Sequence, residues 1–388
     1  MKPTLTQSIA ISGVSVALLL GCVASGASGK GSASTVVVQP NGDVVAAWAT
    51  LVSQGRGNWA PASRSATLPA RGSSWTSGPE LPWRSAPAAS LASDGPGSLT
   101  AVWYRRAGGL AAATRAAGQT NWSSPQLLKG TGVPMLAVAR NGAALLVWQQ
   151  YKTKQIVTGR IRRTVDAAVA VQTAYRQSDA AMFGPVTELA TGPRPIRDLQ
   201  LGIDSSGTAT VAWLRDVGGR WQAEVATRPG GAETWRPVEA LTDASAKPRT
   251  LALAAGPNGR ALVAFGTNER LSIAERQAVD GRFTRDGDIP WRPNATAKVG
   301  SSLAAIVRTD GTAVVAWNQP TGQIAALTRA PNGRWGAPEV IDRRGLGPVQ
   351  LHDLGTRTLA TWRKSGGVSE TLSARQHARH PPRHQHHG

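Results

Sequence analysis

A short apolar segment that closes on an aromatic residue recurs seven times in this chain. The copies lie over 44–48, 99–103, 144–148, 210–213, 262–265, 314–317 and 359–362, and end at Trp48, Trp103, Trp148, Trp213, Phe265, Trp317 and Trp362. Self-similarity at intervals of about 45 to 65 residues marks an array whose units have faces that only a neighbour can cover. Six copies follow a pair ending in glycine: Asn41-Gly42, Asp94-Gly95, Asn141-Gly142, Ser206-Gly207, Asn258-Gly259 and Asp310-Gly311. Such pairs supply the positive φ of a tight hairpin, so each segment reads as the second strand of an antiparallel unit.

The rest of the unit can be filled in around that hairpin. First strands lie upstream, as at 36–38, 135–139, 199–203 and 251–254. Third strands end near Thr114-Arg115, Ala174-Tyr175-Arg176, Thr227-Arg228, Glu275-Arg276, Thr328-Arg329 and Ala374-Arg375, with Leu68 in the first copy. Fourth strands open on an aromatic, commonly with a proline close by: Trp75 with Pro79, Trp122 with Pro125, Phe183 with Pro185, Trp235 with Pro237, Phe283, and Trp335 with Pro338. Proline there implies a strand with a free edge. Glu80, Gln126, Glu188, Glu239 and Glu339 recur on this strand. Their spacing from the arginines predicts a pair across each outer hairpin, worth about 0.2 to 1 kcal/mol. The seventh unit lacks a fourth-strand opening.

Four-stranded antiparallel units in tandem predict an all-β fold, a β-propeller of about seven blades with the last incomplete and six blades as the alternative. Each second-strand aromatic should then pack between blades. The segment from Thr328 to Trp335, with Asn332-Gly333 ahead of Trp335, resembles the Asp-box hairpin of sialidase-like propellers, which joins third and fourth strands and ends in an aromatic. The Ser and Asp that precede the glycine in that motif are not at their places here, so the resemblance implies a degenerate member. The family uses three arginines that clamp a carboxylate, a tyrosine nucleophile with a glutamate partner, and an aspartate acid/base. None of these can be placed on this chain: the family's Arg-Ile-Pro signature is absent, and Tyr104, Tyr151 and Tyr175 lack a convincing glutamate partner. Acids on first strands are few, namely Asp198, Asp204 and Asp353 beside His352, and Asp204 sits at a turn where an Asx hydrogen bond accounts for it. The expectation is a binding scaffold, with no catalytic residues, cofactor or metal. A sialidase-like glycoside hydrolase and a protein–protein scaffold of an envelope complex are the alternatives.

The termini read as addresses. Lys2, a polar stretch to Ser8, an apolar run over 9–20 and then small residues have the layout of a secretory signal. Leu19-Leu20-Gly21-Cys22 resembles the lipobox of bacterial lipoproteins, which implies lipidation at Cys22, the only cysteine. The expected organisation is a leader over 1–22, a flexible tether over 23–34, the propeller over 35–376 and a disordered His/Pro/Arg-rich tail over 377–388. Export with lipid anchoring at the cell envelope is expected, with plain secretion as the alternative.

The net charge of +20 draws the protein toward anionic partners. The arginines are scattered and form no block of cations outside the tail, so nucleic acid is not expected. Of the 14 Trp, the repeat accounts for all but Trp59, Trp83, Trp221 and Trp291. These fall in or beside loops that join second to third strands, or one blade to the next, and in an up-and-down blade both kinds emerge on one face. Pro82-Trp83-Arg84 and Pro290-Trp291-Arg292 share their neighbours, and the long connection after Trp148 adds Lys152, Lys154, Arg160, Arg162 and Arg163. Trp59, Trp83, Arg84, Trp221, Trp291 and Arg292 are therefore the candidate ligand-binding residues. An aromatic, basic face suits an anionic glycan or envelope polymer. The competing role for these tryptophans is to cap blade ends.

Overall fold

The computed structural model describes residues 34–373 except 40, 54–58, 79–80, 82–88, 106–107, 159–160, 193, 268–269, 291–301, 320–321, 332, 354–357 and 365–368. The leader, tether, tail and Arg375 lie outside the described residues, as do Trp83, Arg84, Trp291 and Arg292. Among the described residues the strands form seven antiparallel sheets, six of four strands and a last one of three. The first strands of successive sheets lie side by side from the first to the seventh. This is a seven-bladed propeller whose final blade shows three strands among the described residues, Gly345–Asp353, Thr358–Lys364 and Ser369–Ser373. Among the described residues no helix is long and apolar enough to cross a membrane.

The second strands begin where the repeat places them, for example Val44–Ser53, Leu99–Tyr104, Ala209–Val217 and Ala313–Asn318. Their closing aromatics are the mortar of the ring. Trp148, Trp213 and Phe265 are wholly buried, and each sits in a cluster that joins its own blade to the one before. Trp103, Trp317 and Trp362 do the same. Two indole N–H groups bond within this packing: Trp148 Nε1 donates to Gln172 Oε1 at 2.9 Å and Trp213 Nε1 to Glu224 Oε2 at 2.7 Å, each across a paired strand position. Truncating such a residue to alanine costs about 3 to 5 kcal/mol.

The hairpin glycines adopt positive φ at Gly42, Gly142, Gly207, Gly259 and Gly311. In the second blade the left-handed residue is Gly97 instead of Gly95. There Asp94 Oδ1 accepts from the N–H groups of Gly97 and Ser98 and draws the turn around Pro96, moving the tight position two residues on.

Among the described residues, arginine–glutamate pairing across the outer hairpins does not form. Strand register is the reason: Glu239 lies opposite Val225 and Glu339 opposite Ala326, three residues short of Arg228 and Arg329. Three residues is about 10 Å along a strand and reverses the face. The arginines instead run between blades. Arg176 Nη2 donates to Thr100 Oγ1 of the preceding blade, and Arg276 donates to Thr227 and Thr210 of its preceding blade and to Gly259 O. Arg329 pairs with the buried Glu275. Each also lies over an aromatic: Arg176 over Phe183, Arg276 over Phe283 and Arg329 over Trp335. Arg228 departs from this and lies 3.7 Å over Tyr175 of the blade before.

The stretch after Trp148 is likewise a hairpin instead of a loop. Strands Ala144–Thr158 and Ile161–Arg176 stay paired to Thr158 opposite Ile161, with one bulge at Gln150/Tyr151. Ile156, Val157, Thr158 and Ile161, Thr164, Val165 favour a pleated surface, and two residues separate the strands.

Candidate functional site

Antiparallel order puts the hairpin between second and third strands, and the entry to the first strand, at the same end of each blade. That end is the loop face. The opposite end, with the glycine turns, is the turn face. At the loop face of blade 4 the second strand ends at Val217 and the third begins at Arg220, joined through Gly218 and Gly219 with φ of 67° and 81°. Both central residues at positive φ make the turn that matches strand twist, and only glycine takes it cheaply. Trp221 follows at once, half-buried, its body on the apolar cluster of Leu214, Ala223, Leu251 and Phe265 between blades 4 and 5.

Over Trp221 lies Arg197, its guanidinium 3.9 Å from the ring centroid. Arg197 belongs to the first strand of blade 4, Ile196–Ile203, at a break in register between Arg197 and Gln200. Asp198 at that break is left-handed, with φ of 51°. A bulge of this kind re-aims neighbouring side chains. Arg197 Nη2 donates to Arg249 O at 3.3 Å, whereas its buried Nε has no hydrogen-bond partner among the described residues. Burial pulls the Arg197 pKa down, opposed by Asp198 and assisted by Arg249. Arg249 is exposed, and Arg194 pairs with Asp216 at 3.5 Å.

The carboxylates around this cluster are already engaged. Glu224 accepts from Trp213 Nε1 and from Arg215 Nε at 2.8 Å. Asp198 is held by the Thr250 side chain and the Leu251 backbone, and burial raises its pKa above the usual carboxylate range despite Arg197. Asp204 spends Oδ1 on Ser206 and Thr208 and Oδ2 on Gly259 N of the next blade, the structural role expected of a turn acid. His352 is half-buried, with its pKa lowered by that burial. Among the described residues no group of three His, Cys, Asp or Glu could hold a metal.

Of the six residues singled out in the sequence, the structure gives a full setting to Trp221. Trp59 opens the third strand of blade 1, Trp59–Leu68, opposite Ser53, at the loop face. Arg197 was not legible as its partner. The signal was the polar pair Arg197-Asp198 breaking the apolar pattern of a first strand.

No protein-family model matches the chain, and no curated protein matches it in sequence. Solved structures do. An ulvan lyase of a new family of polysaccharide lyase is 11% identical, with 78% of this chain and 80% of that one covered at a TM-score of 0.51. The likeness is one of fold. The β-propeller domain of the trilobed protease from Pyrococcus furiosus, of open velcro topology, is 8% identical over 87% of this chain and 93% of that one, with a TM-score of 0.48. The K499G mutant of the NanB sialidase from Streptococcus pneumoniae is 10% identical over 88% of this chain and 66% of that one, with a TM-score of 0.39.

Proposed function

We propose that the propeller is a binding scaffold, exported and held at the cell envelope through a lipid on Cys22, that captures an acidic glycan or envelope polymer on its loop face. The observation that carries this reading is the Arg197–Trp221 stack, in which a guanidinium lies over the half-buried Trp ring at the loop face. A planar guanidinium pairs with a carboxylate or sulfate, and the adjoining aromatic edge packs against a sugar ring. The exposed Arg249 extends the positive strip along the same face, and the net charge of +20 supplies long-range attraction.

Engagement of Glu224 and Asp198 in fixed hydrogen bonds favours binding over hydrolysis, since a glycosidase needs two carboxylates free to handle a proton and a nucleophile. Trp83, Arg84, Trp291 and Arg292 are proposed to widen the same surface. The test is an array of neutral and acidic polysaccharides probed with wild type, Trp221→Ala and a Trp83→Ala/Trp291→Ala double variant. Selective retention of acidic polymers, weakened in both variants, supports the proposal. Equal retention in all three sinks it, and release of reducing ends from the polymer would replace binding with catalysis. Cys22→Ser should move the protein from the membrane fraction to the soluble one.

A further inference from the structure

The arginines that end third strands reach for one place on the blade before. That place is the second residue of the preceding second strand, together with the residue paired to it: Thr100 with Thr114, Leu145 with Tyr175, Thr210 with Thr227, and Leu262 with Glu275. Each pair offers the incoming cation something to hold. Arg176 donates to Thr100 Oγ1 at 3.0 Å, Arg228 lies over the Tyr175 ring, Arg276 donates to Thr210 and Thr227, and Arg329 pairs with Glu275. A guanidinium drawn part-way out of water needs such a partner to offset its lost hydration.

Arg115 of blade 2 meets a different pair. The corresponding residues of blade 1 are Val45 and Thr67. Val45 is buried in the cluster between blades 1 and 2, on which Trp122 packs, and Arg115 lies over Trp122 at 5.5 Å from the ring centroid. Arg115 is half-buried, and among the described residues it makes no hydrogen bond and no ion pair. Burial lowers its pKa with no charge among the described residues to oppose it, whereas Asp94 opposes the same effect at Arg176.

Thr67 supplies a second polar group on the same wall. Residues paired across two strands share a face, so Thr67 lies with Val45 on the side of blade 1 that meets blade 2, as Thr227 lies with Thr210 on the side of blade 4 that meets Arg276. The Thr67 side chain is half-buried, and its hydroxyl has no hydrogen bond among the described residues. Two donors therefore face one another across this interface where the equivalent interfaces join donor to acceptor.

We propose that Arg115, Thr67 and Trp122 form a site for a small free oxyanion, sulfate or phosphate, on the turn face between blades 1 and 2. The oxyanion accepts from the planar fork of the guanidinium and from the Thr67 hydroxyl, the part that Thr100, Thr210 and Glu275 play for the other arginines. Trp122 steadies the guanidinium through its ring face. The guanidinium is half-covered and Val45 beside it is buried, which suits a compact group over a chain.

The probe is sodium sulfate, titrated against sodium chloride at constant ionic strength into the full-length protein carrying isotope-labelled tryptophan. The Trp122 indole resonance, identified by its loss in Trp122→Phe, should shift saturably. Saturation should vanish in Arg115→Gln and weaken severalfold in Thr67→Val. Val45→Thr installs the hydroxyl that Thr100 gives Arg176, so it should weaken sulfate binding about tenfold. Without any anion, thermal melts should show that Val45→Thr costs less beside Arg115 than in an Arg115→Gln background. A shift that stays linear in sulfate, or that Arg115→Gln leaves unchanged, overturns the proposal. So does a folded Val45→Thr variant that binds sulfate as tightly as wild type. A shift produced by dextran sulfate and never by sulfate overturns it in favour of a polymer surface.

Discussion

Arg276 and Arg197 have the same side chain, both lie over an aromatic ring, and they are used in opposite ways. Arg276, at the turn face, is 1% exposed, and three of its N–H groups are bound to Thr227, Thr210 and Gly259 O between blades 4 and 5. Burial, with Arg236 nearby, lowers its pKa to about 10, so it stays charged at neutral pH and its charge is spent on structure. Arg197, at the loop face of the same interface, makes one bond to a backbone oxygen and keeps an unfilled Nε. Much of the repeating basicity is therefore cement. On the proposed reading, the cations offered to a ligand are those that, like Arg197, interrupt the repeat.

That contrast predicts where loss of charge should unfold the protein and where it should blind it. The largest effect belongs to the buried set: Glu275→Ala leaves the Arg329 guanidinium buried without its carboxylate, which should cost about 3 to 5 kcal/mol in urea unfolding. Arg197→Ala should move stability by less than about 1 kcal/mol, yet weaken binding of an acidic polysaccharide about tenfold in calorimetry, a change of about 1.4 kcal/mol. If Arg197→Ala unfolds the protein as Glu275→Ala does, the two arginines are alike and the contrast fails.

The smaller effects concern buried titrating groups. The folded state raises the Asp198 pKa, so folding holds a proton there that the unfolded chain has lost. Stability therefore falls as pH rises from the ordinary carboxylate value through the raised one. Asp198→Asn, which keeps a residue tolerant of left-handed φ, should melt higher than wild type at neutral pH, with the gap closing under acid. His352 has the opposite sign. Its lowered pKa means the unfolded chain takes up the proton first, so stability drops as pH falls below 6.5. His352→Gln should flatten that slope in melts run across the range.

The propeller was legible because its cement repeats. Trp103, Trp148 and Trp213 mark second strands at a spacing that only stacked units explain. The arginine stack was present in the sequence too, since Arg115, Arg176 and Arg276 each stand seven residues ahead of the fourth-strand aromatic they lie over, and Arg329 six. Sequence spacing alone could not choose between the aromatic and the glutamate beyond it, because the choice depends on strand register. The Arg197–Trp221 pair was half legible. Trp221 stood out as surplus to the repeat, but its partner sits at a bulge, and a bulge shifts side chains by an amount that no periodic pattern records.

The most direct measurement is amide hydrogen exchange of the full-length protein with and without a saturating acidic polysaccharide. Added protection should gather at residues 194–199, 214–223 and 249–251, around Arg197 and Trp221, and leave the turn-face segments 94–98 and 204–208 unchanged. Protection confined to those turn-face segments, with none around Arg197, would contradict the assignment of ligand capture to the loop face.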